Sequence, residues 1–259
     1  MPLLQTQQLT LYAGDKLLCE QLNWQSAAGE IWAVLGRNGA GKTTLLHSLA
    51  GIRACTAPQC RGEILLQGKT LTSWSRKQIA QRLGLLLQDY HDPFPGTVLD
   101  YVLMGRHPYL HALQWETEQD YARVNDALIR VGLEDFTQRD IQTLSGGEFQ
   151  RMRIAMLLVQ DPQILLLDEP VNHLDLQFQH AVLEALVNTV NASNKAMVMT
   201  IHDVNLAMRY CTHALLFHDN GRVESGEIEQ VITEQSLSAL YQYPVKAITT
   251  SGRSMFIAD

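Results

Sequence analysis

Nowhere in the 259 residues do about 18 apolar side chains run together, which excludes a membrane-crossing helix of the chain's own. Lys and Arg form no basic stripe: 20 of them face 27 Asp and Glu, for a formal net charge of -7. The electrostatic footprint of a nucleic-acid binder is therefore missing. The opening MPLLQTQQLTLYAG lacks the positive start, apolar stretch and small-residue cleavage site of a secretory leader, so the chain is expected to begin and stay in the cytosol. Cysteine is scarce. Cys19, Cys55, Cys60 and Cys211 have no CxxC spacing and no His pair beside them, which argues against structural zinc, and in the cytosol they are expected to be reduced, structural thiols. There is no internal repeat and no low-complexity tract. What is present, an even mix of apolar and charged residues at this length, fits one compact domain, or one domain with a subdomain.

Short β-rich runs alternate with helical patterns at both ends of the chain, as in a layered α/β fold around a largely parallel sheet. Leu3 to Tyr12 and Lys16 to Trp24 read as antiparallel strands about a turn at Ala13-Gly14-Asp15, and Ile31 to Leu35 as a buried strand with a helix from Lys42. Glu63 to Leu66 and Leu83 to Leu87 read as further strands. Thr97 to Gly105, Thr117 to Val131 and Gly146 to Gln160 are helical in period, so residues 91–160 read as a helical insert between 1–90 and 161–259. Strands return at Ile164 to Leu167, Ala196 to Thr200 and Ala214 to Phe217, and short strand-like pieces lie near Val245 to Thr250 and Ser254 to Ile257.

GRNGAGKT, at residues 36–43, matches G-x-x-x-x-G-K-[ST] and stands where that motif belongs, after an apolar strand and before a helix. Glycines allow the tight turn that points successive backbone N–H groups at phosphate oxygens, and the helix adds its positive end. Gly36, Arg37, Asn38, Gly39, Ala40, Gly41, Lys42 and Thr43, with Thr44 next to them, are thus the candidate nucleotide-binding residues. Lys42 is expected to reach the β- and γ-phosphates, and the Thr43 hydroxyl to bind Mg²⁺.

Ile164-Leu165-Leu166-Leu167-Asp168-Glu169 is an apolar strand ending in two carboxylates, where a Mg²⁺-dependent NTPase places its acids. Asp168 is the candidate metal ligand, and Glu169 the candidate to orient or deprotonate the attacking water. His202, just after the strand Ala196 to Thr200, can hydrogen-bond a γ-phosphate or that water, and Gln88, ending Leu83 to Leu87, can reach the metal or the water with its amide. Each has a plainer alternative. An acidic pair after a strand also reads as an exposed turn, a lone histidine as structural, and a glutamine as surface.

Leu144-Ser145-Gly146-Gly147-Glu148, followed by FQRMRIAMLLVQDP, resembles the signature motif and following helix of the ABC ATPase family, and the likeness covers nearly the whole chain. The resemblance implies a P-loop NTPase (RecA-like) core with an antiparallel β subdomain and an inserted α-helical subdomain. It implies ATP hydrolysis with Mg²⁺ in a head-to-tail dimer, where Ser145, Gly146, Gly147 and Glu148 of one copy close over the γ-phosphate held by the other. By the same resemblance Tyr12 stacks on adenine, Gln88 is the Q-loop residue, His202 the switch histidine, and Asn172-His173-Leu174-Asp175 the D-loop, with Asp175 communicating across the dimer. Glu148 replaces the commoner Gln, and Val171 the commoner Thr; neither change removes a catalytic group.

Relatives outside transport act in DNA repair or translation. The repair type carries long heptad coiled coils, absent here, and the translation type usually two cassettes per chain, although NHLD occurs among them. A single acidic cassette better fits the motor of a bacterial importer, at the cytoplasmic face of the inner membrane, with a separate permease and, indirectly, a periplasmic binding protein as partners. GTVLDYVLMGRHPYL at 96–110 resembles the class importing iron chelates, haem and cobalamin, and LSGGEFQRMRIA with RSMFIAD resembles cobalamin-importer cassettes. Tyr90, Pro93, Phe94 and Pro95 are the candidate groove for a permease helix, although such a patch also reads as ordinary loop packing and 96–110 as helical-subdomain packing.

Overall fold

The computed structural model describes residues 1–53, 55–88, 95–111, 114–250 and 253–259. In chain order the first half comprises β1 (Leu4–Ala13), β2 (Lys16–Ser26), β3 (Ile31–Gly36), α1 (Lys42–Leu49), β4 (Cys60–Leu66), β5 (Lys69–Thr70), α2 (Arg76–Ala80), β6 (Leu83–Leu86), α3 (Val98–Leu103), α4 (Glu118–Arg130) and α5 (Gly146–Gln160). The second half comprises β7 (Ile164–Asp168), α6 (Leu176–Ala192), β8 (Ala196–Thr200), α7 (Val204–Tyr210), β9 (His213–Phe217), β10 (Val223–Glu227), α8 (Ile228–Val231), α9 (Glu234–Tyr241), β11 (Val245–Thr250) and β12 (Arg253–Ala258).

β3, β7 and β8 are buried at every position, as strands covered on both faces must be. They form the centre of a six-stranded sheet ordered β10-β9-β3-β8-β7-β6, in which every neighbouring pair is parallel except the antiparallel β9–β10 edge. Alternate residues of each strand enter different cores. Ile31, Ala33, Leu35, Leu165, Leu167 and Met199 pack among the helices, whereas Trp32, Val34, Ile164, Leu166 and Val198 pack with α1 against a second sheet, β2-β1-β4-β5. That second sheet is antiparallel throughout. Apart from the single bridge between Thr97 and Asp140, the described elements from Val98 to Gln160 are helical.

Three sequence expectations need correction. The helix expected over Thr97 to Gly105 ends at Leu103 and tightens into a 3₁₀ turn over Met104–Arg106, which lies on α5 so closely that a Cβ on Gly105 would stand 2.4 Å from the Met156 carbonyl oxygen. The strand expected from Glu63 begins earlier, at Cys60. The cysteines are not all reduced: the turn before β4 brings the Cα atoms of Cys55 and Cys60 to 4.7 Å, and a disulfide joins them, a closeness that a spacing of five residues does not reveal. Cys19 and Cys211 are free and buried; desolvation raises both thiols, Cys19 to about 12, so both stay protonated packing groups.

Candidate functional site

β3 ends at Gly36, where β9 runs so close that a Cβ would stand 2.8 Å from the Phe217 carbonyl oxygen. The chain then turns through Gly39 (φ +74°) and Gly41 (φ +110°), backbone angles that glycine adopts without penalty, and α1 begins at Lys42. No side chain caps α1, so its first N–H groups face the loop. Lys42, only 7% exposed, donates from Nζ to the carbonyls of Gly36 at 2.8 Å and Arg37 at 3.2 Å. Desolvation lowers its pKa, while the charges of Glu169 and Asp168 raise it. A buried cation beside an uncapped helix start suits an anion. Ala40 is buried; Asn38 is exposed, and Arg37 leans outward to Asp219 at 2.8 Å. Thr43 and Thr44 are half-buried in the first turn. Tyr12 lies in the last pairs of the β1–β2 hairpin, opposite Leu17, and Lys16 at the hairpin turn donates to the Gly39 carbonyl at 2.8 Å, which ties that hairpin to the loop.

At the same edge of the sheet β7 ends in Asp168, 1% exposed. Its Oδ1 accepts the Thr200 hydroxyl at 2.6 Å, and its Oδ2 is buried without a hydrogen-bond partner. An orphaned carboxylate oxygen costs free energy unless a cation or water completes it, so the donor set fits a hard divalent ion. Glu169 follows with φ +50°, an uncommon backbone for a non-glycine residue, and its N–H donates to Thr200 Oγ1 at 2.8 Å. One hydroxyl at the end of β8 thereby aligns both acids. The Glu169 carboxylate is 10% exposed; His202 Nε2 lies 2.6 Å from Oε1, while Oε2 accepts from Gln88 Nε2 at 2.9 Å and from Asn172 Nδ2. Beside it lies a cavity of about 120 Å³, lined by Glu169, Asn172, Thr200 and His202 among others. At about 30 Å³ each, that is room for a few waters.

Ser145 caps α5 in a capping box: Glu148 N–H donates to its Oγ at 3.3 Å, and its own N–H donates to Glu148 Oε2 at 2.7 Å. The backbone bond from Ser145, with Arg139 at 3.4 Å adding its charge, holds the Glu148 carboxyl below the usual range. Glutamate in place of the commoner glutamine thus serves the helix start. A Cβ on Gly146 would meet open space, whereas one on Gly147 would lie 3.4 Å from the His173 carbonyl oxygen. Asp175 caps α6 by accepting from Phe178 N at 3.0 Å, and Val171 is buried in the helical core. Among the described residues no hydrogen bond or ion pair joins 144–148 to 36–43.

The fold therefore gathers the loop, Asp168, Glu169, Gln88 and His202 at one sheet edge, and among the described residues no hydrogen bond or ion pair joins Ser145 to Glu148 to them. Residues 89–94, including Tyr90, Pro93 and Phe94, lie outside the described residues, and Pro95 is exposed. Two participants are not legible as such in the sequence. Thr200 is a lone hydroxyl closing the apolar strand Ala196–Thr200, and that is its signal; Asn172 opens the segment Asn172 to Asp175, and its contact with Glu169 has no signal in the sequence.

The sequence family described as ABC transporter matches residues 19–172. The petrobactin import ATP-binding protein of Bacillus anthracis is 38% identical over 239 residues, covering 92% of this chain and 86% of that protein. A cobalamin import ATP-binding protein of Halobacterium salinarum is 35% identical over 229 residues, covering 88% of this chain and 56% of that longer protein. A structure solved as an inward-facing conformation of a metal-chelate type ABC transporter superposes with a TM-score of 0.84 at 30% identity, covering 100% of this chain and 98% of that one. With these relatives and the phosphate-loop geometry, the chain belongs to the ABC transporter family, as an ATP-binding subunit whose ATP hydrolysis is coupled to transport.

Proposed function

We propose that the chain is the motor of a bacterial importer of metal chelates, working as a head-to-tail pair beneath a separate permease at the cytoplasmic face of the inner membrane. The observation that carries the chemistry is the grip of Gln88, Asn172 and His202 on the Glu169 carboxylate, next to the orphaned Oδ2 of Asp168. Lys42 and the α1 amides bind the β- and γ-phosphates, and Tyr12 packs on adenine from the hairpin that Lys16 ties to the loop. Mg²⁺, when bound, neutralises phosphate charge; Asp168, Thr43 and Gln88 would hold it. Glu169 orients a water in the adjoining cavity and accepts its proton, and His202 steadies the carboxylate and the departing γ-phosphate.

Ser145, Gly146, Gly147 and Glu148 make no hydrogen bond or ion pair with the chain's own loop among the described residues, and in this reading they are offered to a second copy, with Asp175 at the same junction. The division into a core (1–90 and 161–259) and a helical part (91–160) goes with this reading, since a helical unit carrying the signature must move relative to the loop. Among the described residues no helix is long and apolar enough to cross a membrane, in keeping with a permease on another chain. The import direction and the metal-chelate class rest on what the relatives are named for. Within that class an iron-siderophore cargo is favoured, because the petrobactin relative matches at higher identity and over more of its own length than the cobalamin one. Cobalamin, which LSGGEFQRMRIA and RSMFIAD put first, has no separate support. A periplasmic binding protein would deliver the cargo. The net charge of -7 speaks against a nucleic-acid partner.

The test is steady-state ATP hydrolysis by Glu169→Gln. Turnover is expected to fall on the order of a hundredfold or more with nucleotide binding retained. A rate within twofold of the unmodified chain would remove Glu169 from this role.

A further inference from the structure

α5 buries two polar side chains that point not at its own cap but at the far ends of two strands. Arg153, 5% exposed, donates to the Leu87 carbonyl oxygen and, at 3.1 Å, to Gln150 Oε1. Gln150, 7% exposed, donates from Nε2 to the Pro170 carbonyl oxygen at 3.0 Å. Leu87 immediately precedes Gln88, and Pro170 immediately follows Glu169; Gln88 and Glu169 are themselves joined at 2.9 Å. The contacts close a ring: Arg153 to Leu87, along the chain to Gln88, across to Glu169, along the chain to Pro170, and back through Gln150.

The ring sits where the sheet no longer holds the backbone. β6 ends at Leu86 and β7 at Asp168, so Leu87 and Pro170 are fixed by α5 rather than by ladder hydrogen bonds. Burying a guanidinium is costly, and a helix needing only packing would place an apolar side chain there. Gln150 and Arg153 are three residues apart, on one face, and lie about 8 and 12 Å along the helix axis from its cap at Ser145. A helix is stiff over that length, so a displacement of its capped end is carried to both contacts.

We propose that Gln150 and Arg153 are positioning residues that set Gln88 and Glu169 relative to the signature end of α5, so that a phosphate seated on one copy's Ser145 to Gly147 adjusts the water-orienting carboxylate of that same copy. The two nucleotide sites of a pair are coupled by this route. The proposal rests on the roles given above to Gln88 and Glu169 and on the head-to-tail pair.

The test measures kcat and KM for ATP of the full chain carrying Arg153→Met, Arg153→Lys, Gln150→Met, Arg151→Met or Glu169→Gln, with the melting temperature of each. Arg151 is the control, equally buried on α5 but donating at 2.8 and 2.7 Å to the Val131 and Gly132 carbonyls, away from the ring. Arg153→Met is expected to lower kcat roughly tenfold to a hundredfold with KM within about twofold, because a small misplacement costs that much. Arg153→Lys recovers most of the loss through a single donor to Leu87, and Gln150→Met reproduces it from the Pro170 side even if Arg153→Met does not fold. Arg151→Met lowers the melting temperature and leaves kcat within about twofold. A folded Arg153→Met or Gln150→Met chain with unchanged kcat, or a loss that merely follows melting temperature across all three methionine variants, overturns the relay while an inactive Glu169→Gln leaves the catalytic assignment standing. Normal turnover in Glu169→Gln overturns both.

Discussion

Two helices of this chain open on glycine-rich segments, and they are finished in opposite ways. α1 follows Gly41, its cap position, with φ +110° and no capping side chain, beside the buried ammonium of Lys42. α5 starts at Ser145 with its first turn closed by Glu148. The first leaves its backbone donors for a ligand and brings a cation to them. The second is already satisfied locally and carries a carboxylate, so a phosphate approaching it must arrive held and neutralised by something else. In the proposed pair the first segment binds and the second covers, a division that agrees with the hydrogen bonds each makes within the chain.

The largest expected effect follows from breaking the binding segment. Lys42→Ala removes a desolvated cation, and titration with a non-hydrolysable ATP analogue is expected to show affinity weakened by about 3 kcal/mol, on the order of a hundredfold. An unchanged Kd would make α1 alone the binding element.

Next in size is the hydroxyl beneath the acids. Thr200→Val leaves Asp168 Oδ1 without a donor and the Glu169 N–H without an acceptor, so unfolding in denaturant is expected to show about 1–3 kcal/mol lost per unpaired buried group, along with reduced turnover. Unaltered stability would mean that water takes its place.

The smallest effect concerns the covering segment. Glu148→Ala opens the capping box and is expected to cost about 1 kcal/mol in thermal unfolding. The pH dependence has a definite sign. The folded Glu148 carboxyl lies below its unfolded value, so its contribution is present above the unfolded carboxylate value of about 4.3 and is lost as pH falls through the folded one. Glu148→Gln should flatten that acid limb; an identical acid profile would show that the box adds nothing.

Much of this contrast was legible in the sequence, because both segments are local. The loop needs its glycines, its lysine and a strand before it, and Ser145 with its glycines reads as a helix start, although its closure by Glu148 emerges only from the structure. Asp168 and Glu169 were legible as an acidic strand end, but the contacts that hold them were not. Thr200 is 31 residues from Glu169 and Gln88 is 81, and only the order β3-β8-β7-β6 makes them neighbours. Gln150 and Arg153 read as polar positions of a helix until the ends of β6 and β7 are seen beside them. The Cys55–Cys60 disulfide is not legible in the sequence, because compartment chemistry says nothing of how a turn folds.

The sharing of each ATP between two copies is tested most directly by mixing two inactive chains, Lys42→Ala and Ser145→Arg. If one copy binds and the other covers, a mixed pair has one site with both defects and one with none. The mixture should then hydrolyse ATP at on the order of a quarter of the unmodified rate, since half of randomly assorted pairs carry one intact site. A mixture no more active than either chain alone would contradict it.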